Sequence, residues 1–314
     1  MKINLTNTIK GSMLEGFYPK GWDLDKIREC CSFPADTVCD RQDFWNKEFE
    51  PVPCESYQDV NVMLGHEAAY LIKQARDRGE KLAFIVPVGP VGQYPWMVYF
   101  LQQWNVCCDH VTFFNMDEWS DEEGNTPDPT ENGSFKKAML DVFYHPLGKL
   151  TVPEEQRNFA SKENLPLYPE KIKNLKEQGA KLVIMYGIGR AFHVAFWEPH
   201  FAADYQSEQE WKMATHRIGA KLHPISIEQN AVIAFRSDYT SVPCFGNTIG
   251  PGLMFQSDYC IGGCSSIFDR GASFQGVPLW VTLRHRPSMW ITSSYMPTFP
   301  GKLFFVKQMA DLSY

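Results

Sequence analysis

The chain has 314 residues, 44% of them hydrophobic, with a formal net charge of -7 and a pI of about 5.7. That length can bury a large core, and the acidic balance without any basic block argues against nucleic acid and anionic membranes as partners. No apolar run is long enough to span a bilayer and the N-terminus lacks a secretory h-region, so the expected compartment is cytoplasmic.

Residues 1–56 are irregular and rich in Pro, Cys and aromatic residues. Asp23 or Asp25 suits the N-cap of a short helix reaching Cys31. The segment reads as an N-terminal arm that packs on a core through Phe17, Tyr18, Trp22, Phe44, Trp45 and Phe49. Nine cysteines occur along the whole chain, with two adjacent pairs and no Cys-x-x-Cys. That pattern fits reduced, buried thiols better than zinc or a disulfide framework, and no metal is expected.

Regular alternation begins near Tyr57 and defines one α/β domain over 57–314. Val60, Met63, Leu64, Ala68, Leu71, Ile72 and Ala75 recur at helical spacing, predicting a helix over 60–78 that Gly79 ends. A strand over 81–87, a turn at Gly89-Pro-Val-Gly92, a helix over 95–104 and a strand over 110–115 follow. Next come a loop over 127–133, a helix over 134–143, a strand over 147–153, a helix over 169–178 and a third clear strand over 181–186. In the last third, 232–235, 259–263 and 279–283 look strand-like, and Gly246-Asn-Thr-Ile-Gly-Pro-Gly252 reads as a turn-rich link. Alternation of this kind predicts a mostly parallel sheet covered on both faces, a three-layer α/β/α arrangement.

Ligands of such sheets bind beyond the carboxyl ends of strands. Three segments fall there: the Gly89–Gly92 turn, the run Asn115–Trp119 with its acids Asp117 and Glu118, and the stretch from Gly187 to Glu198. Gly187 and Gly189 allow a sharp turn and close backbone approach to a ligand. His193 and Glu198 bring proton-transfer chemistry, and Arg190 adds a cation beside them. Each residue also has a plain reading: the acids as a helix-capping turn, His193 as a core histidine, Arg190 as a structural ion-pair donor.

Phe114-Asn-Met-Asp-Glu-Trp119 resembles the Asn-Met-Asp-Glu-aromatic motif of the glucosamine-6-phosphate deaminases (isomerases). Tyr186-Gly-Ile-Gly-Arg-Ala-Phe-His-Val-Ala-Phe-Trp-Glu-Pro199 is similar to that family's Gly-Gly-x-Gly-x-Asp-Gly-His-x-Ala-Phe-Asn-Glu-Pro signature. The 6-phosphogluconolactonases are related. The resemblance implies a Rossmann-like fold, no required metal or organic cofactor, and conversion of an aminosugar phosphate to a ketose phosphate and ammonia. It makes Asp117 the base that moves a proton between C2 and C1, with His193 and Glu198 serving ring opening. Gly89, Gly92, Glu118, Gly187, Gly189 and Arg190 are then expected to bind a sugar or sugar phosphate, and the family's habit of self-association points to a homo-oligomer.

Departures from the pattern are specific. Ala191 and Phe192 replace the family's Asp and Gly before the histidine, and Trp197 replaces Asn. Pro87-Val-Gly-Pro-Val-Gly92 replaces a hydroxyl-bearing phosphate loop, and the cation nearest the expected phosphate-binding lysine is Arg270. The alternative expectations are a non-catalytic sugar or sugar-phosphate binding relative, or an isomerase for an unphosphorylated or open-chain sugar.

Overall fold

A computed structural model describes residues 8–131, 133–267 and 273–313; Arg270 lies outside them. Its strands are β1 (Phe49–Cys54), β2 (Leu82–Val86), β3 (Val111–Asn115), β4 (Asp117–Ser120), β5 (Arg157–Asn158), β6 (Lys181–Gly187), β7 (His216–Lys221), β8 (Phe245–Ile249), β9 (Tyr259–Cys264) and β10 (Gly301–Val306). Its helices are α1 (Leu24–Cys30), α2 (Tyr57–Arg78), α3 (Tyr94–Gln103), α4 (Phe135–Met139), α5 (His145–Leu147), α6 (Tyr168–Glu177), α7 (Glu208–Met213), α8 (Pro224–Ala234), α9 (Pro251–Met254) and α10 (Gly276–Arg284).

Seven strands pair in parallel in the order β1-β10-β9-β6-β2-β3-β5. Every residue of β2 is buried, as a central strand covered on both faces requires. Helices pack on both sides, α2 against β1, β9 and β10 and α6 against β2 and β6. The fold is therefore the three-layer, Rossmann-like α/β/α arrangement expected. From β2 the chain moves outward to β3 and β5, then returns to the other side of β2 as β6. That reversal opens a crevice at the carboxyl ends of β2, β3 and β6, where such sheets bind ligands.

A second, antiparallel sheet of β4, β8 and β7 stands beside the first, with Asp117 paired to Thr248. Its short strand β4 begins two residues after β3 ends, so the Asn-Met-Asp-Glu run bridges the two sheets.

α2 begins at Ser56, whose side chain and Asp59 form a capping box, and ends at Gly79 in a left-handed conformation. Asp23, of the two acids considered, caps α1 by accepting from the backbone N–H groups of Asp25 and Lys26. Phe49–Cys54, near the end of the segment read as an arm, is β1 and pairs with β10 at the edge of the main sheet. Upstream of it, Trp45 donates its indole N–H to the Leu283 carbonyl at 3.0 Å, and Trp22 donates to Trp290 at 2.8 Å.

Four local expectations are corrected. Residues 147–153 contain a short 3-10 turn, Gly148–Leu150, and the strand beyond it is Arg157–Asn158. Residues 232–235 are the end of α8, and 279–283 lie inside α10. Both are short apolar runs, whose length alone does not separate a buried helix from a strand. The Gly246–Gly252 link is strand β8 running into α9. Its glycines serve close packing: a methyl on Gly250 would lie 2.3 Å from the Ala214 carbonyl oxygen.

Candidate active site

A cleft of about 500 Å³ opens at the carboxyl ends of the central strands. The β2 end supplies Pro87 to Gly92, the segment after β3 supplies Met116 and Asp117, and the β6 end supplies Gly187, Gly189 and His193. The three motifs separated in sequence therefore share one wall. α2 adds Asn61, α8 adds Gln229 and Asn230, and the β9 end adds Ser265 and Ser266. Gln275 ties this rim together, donating to the Ile188 carbonyl at 2.8 Å and accepting from the Ser266 N–H at 3.0 Å.

Asp117 is 6% exposed. Burial, and then the neighbouring Glu118 charge, push its carboxyl well above the usual carboxylate range. A desolvated carboxyl of this kind can take a weakly acidic proton and return it without losing it to bulk water.

Glu118 is not in this cleft. Successive strand residues point to opposite faces, so β4 sends Asp117 one way and Glu118 the other. The Glu118 carboxylate accepts from the backbone N–H groups of Phe135 at 2.9 Å and Lys136 at 2.8 Å, at the start of α4. Burial raises its pKa, and those hydrogen bonds oppose the rise. The expected substrate-binding role is corrected to capping of α4.

His193 lies on the cleft wall with Nδ1 turned inward, 3.3 Å from Glu198 Oε2 and 3.1 Å from Ser226 Oγ. Gly189 makes room for the ring: a methyl there would stand 1.9 Å from Nε2. Glu198 is fully buried behind the ring and does not line the cleft. Burial alone would raise its pKa, but the attraction of His193, hydrogen bonds from His193 and Ser226 and the nearby His200 outweigh it. The carboxyl is held below its ordinary value.

Arg190 is corrected as a ligand clamp. Its guanidinium forms an ion pair with Glu228, and its backbone N–H donates to Gln229 at 2.6 Å. Ala191 is buried and adds only a methyl. Phe192 adopts φ +59°, the left-handed region that suits glycine, and packs with Trp22 of the arm. Gly89 and Gly92 line the cleft, and a methyl on Gly92 would collide with the Asn61 side chain 2.5 Å away.

Sequence reasoning missed the contribution of α8, including Ser226. One signal was present: His223 followed by Pro224 marks a helix start, and His223 does accept from the Ile225 N–H.

The fold and this cleft define a Rossmann-like α/β/α protein with a ligand crevice at the carboxyl ends of its central strands. No family model matches the chain. It is 25% identical over 212 residues to a glucosamine-6-phosphate deaminase of Borrelia garinii subsp. bavariensis, covering 64% of this chain and 70% of the relative. Likeness to a Borreliella afzelii protein of the same name has the same extent. Among solved structures, a monomeric glucosamine-6-phosphate deaminase superposes with a TM-score of 0.65 at 17% identity, covering 84% of this chain and 99% of the other. A 6-phosphogluconolactonase from Trypanosoma cruzi gives 0.56 at 13% identity, covering 88% and 100%. The structural likeness establishes the fold. With the sequence likeness, it supports a divergent member of the glucosamine-6-phosphate deaminase family, related to the 6-phosphogluconolactonases.

Proposed function

We propose that this protein is a sugar-phosphate isomerase/deaminase-type enzyme that converts an aminosugar phosphate to a ketose phosphate and ammonia. The observation that carries the reading is the desolvated Asp117 carboxyl facing the same cleft as His193. In this reading His193, backed by Glu198, takes the anomeric hydroxyl proton and returns it to the ring oxygen, opening the sugar. Asp117 then removes the C2 proton and delivers it to C1. Water replaces nitrogen at C2 as ammonia leaves. In this reading the amides of Asn61, Gln229 and Asn230 and the hydroxyls of Ser265 and Ser266, which line the cleft, hold the sugar chain.

No helix among the described residues is long and apolar enough to cross a membrane. We place the enzyme in the cytoplasm, acting on a small metabolite rather than nucleic acid, with self-association to be decided by light scattering.

The test is ammonia release and ketose formation from a panel of aminosugar phosphates, other sugar phosphates and unphosphorylated aminosugars. Turnover of an aminosugar phosphate, lost in Asp117→Asn, supports the reading. Thermal stabilisation by ligands with no turnover across the panel overturns it in favour of a binding protein.

A further inference from the structure

We propose that Ser226 is a positioning residue that fixes the tautomer and orientation of His193 from a different element of the fold. This inference rests on the catalytic role just assigned to His193.

Two groups reach His193 Nδ1. Glu198 Oε2 stands at 3.3 Å, a long contact for a hydrogen bond, and Ser226 Oγ stands closer at 3.1 Å. Ser226 is fully buried in the first turn of α8, so no water competes for its hydroxyl. The residue nearest in sequence that could have served, Ala191, presents only a methyl. A serine hydroxyl accepts one hydrogen bond while donating another. Here Oγ accepts from Nδ1–H at 3.1 Å, which leaves its own hydrogen to turn toward the buried Glu198 carboxylate, whose ionised form it favours.

This relay has a chemical consequence. With the proton kept on Nδ1, Nε2 carries a free lone pair on the Gly189 side of the ring, at the cleft wall. That is the form needed to accept a hydroxyl proton. When Nε2 takes the proton, the imidazolium is stabilised by Glu198 through both the direct contact and the serine. Without the hydroxyl, the long Glu198 contact alone holds Nδ1–H, and the ring gains freedom to carry its proton on Nε2.

α8 also delivers Gln229 and Asn230 to the cleft, three and four residues, about one turn, beyond Ser226. The helix that closes one side of the cleft is thus the helix that orients the histidine. Asn230 strengthens the coupling by donating its side-chain N–H to the Ser226 carbonyl at 2.8 Å.

The test uses Ser226→Ala and Ser226→Thr in the full chain. Imidazole nitrogen NMR of the ligand-free protein, with the His193 signal assigned by its loss in His193→Gln, reads the tautomer directly. The expected result is Nδ1–H with a bare Nε2 in the unsubstituted protein, a growing Nε2–H share in Ser226→Ala, and recovery in Ser226→Thr. In turnover, Ser226→Ala lowers kcat about 10- to 100-fold with KM little changed, part of the roughly 10²–10⁴-fold that general acid–base catalysis contributes. The acidic limb of its pH profile moves up, because Glu198 loses a hydrogen bond to its ionised form. The titratable groups facing this pair are His200 and His223, with Arg217 and Asp204 beyond His200, and all are unchanged by the substitution.

If Ser226→Ala fails to fold, Ser226→Cys keeps the volume with a much weaker hydrogen-bonding group. An unchanged tautomer, an unchanged kcat, or Ser226→Thr as impaired as Ser226→Ala would overturn the proposal. Absence of turnover by the unsubstituted protein would instead remove the functional reading, while the nitrogen spectra still report on Ser226.

Discussion

Trp22 and Phe192 pack ring against ring, their centroids 4.6 Å apart, and join the N-terminal arm to the loop that carries His193. Ile27, Cys30, Val281 and Ile291 complete a small apolar cluster around them. The backbone N–H of Ser293 donates to the Phe192 carbonyl at 2.9 Å, so the residue is held from both sides. The loop before the histidine is therefore anchored by the arm, with an aromatic side chain in a backbone conformation that favours glycine.

Replacing Phe192 separates two opposing effects. Phe192→Gly relieves left-handed strain of about 1–2 kcal/mol. It also removes a buried aromatic, a loss of about 3–5 kcal/mol. Packing wins, so the variant is expected to be less stable by about 1–4 kcal/mol. Denaturant unfolding checks this. Combined with Trp22→Ala, the two losses should fall short of additivity, because each variant removes the same contact. Strict additivity would show that the arm and the loop are not coupled there.

The parts of the fold that were legible in the sequence are those where one pattern has one solution. β2, β3 and β6 are short apolar runs that each follow a helix, those before β2 and β6 closing at Gly79 and Gly179, and their carboxyl ends locate the cleft. α8 and α10 were misread because apolar residues surround much of each helix, which hides the 3.6-residue period. At the site, Asp117, His193 and the glycines stand together as their spacing along the sheet implies. The period-two alternation of β4 says that Asp117 and Glu118 part company, but only the location of α4 says which acid faces the cleft. Arg190 was misassigned because its partner, Glu228, lies on a distant helix. Ser226 was invisible for the same reason.

Glu118 offers a clean contrast with its neighbour. Glu118→Ala removes the acceptor for two backbone N–H groups at the start of α4 and should lower stability by about 1–3 kcal/mol. Its effect on KM should be small beside that of Asp117→Asn on kcat. A rise in KM without loss of thermal stability would return Glu118 to the substrate site.

Gly189→Ala tests the seat of the imidazole. The added methyl would begin 1.9 Å from His193 Nε2, so the ring or the loop has to move. Overpacking of this kind costs about 1–3 kcal/mol. The expected variant is folded, less stable by that amount, and impaired in kcat at least tenfold, since a displaced base loses much of a contribution of about 10²–10⁴. Thermal unfolding together with steady-state kinetics measures both. Full activity would mean that the position of the ring over Gly189 is not needed for turnover.

Asp117 and Glu198 should leave opposite marks on stability against pH. The folded-state pKa of Asp117 is raised, by burial and then by Glu118, so the stability it contributes is fully present below its unfolded pKa of about 3.9 and is lost as pH rises toward the folded value. Asp117→Asn removes that loss, so the variant should gain stability relative to the parent as pH climbs from about 4 to neutrality, while its kcat falls about 10²-fold or more. Glu198 runs the other way. Although burial opposes it, the pull of His193 and the hydrogen bonds keep its folded pKa depressed, so its contribution is present above an unfolded pKa of about 4.3 and is lost as pH falls through the folded value. Glu198→Gln should therefore be destabilising at neutral pH and approach the parent in acid. Unfolding free energies of the three proteins between about pH 3 and 8 bracket both carboxyl reference pKa values. Parallel curves for the two variants would show that the carboxyls do not titrate in the opposed environments described.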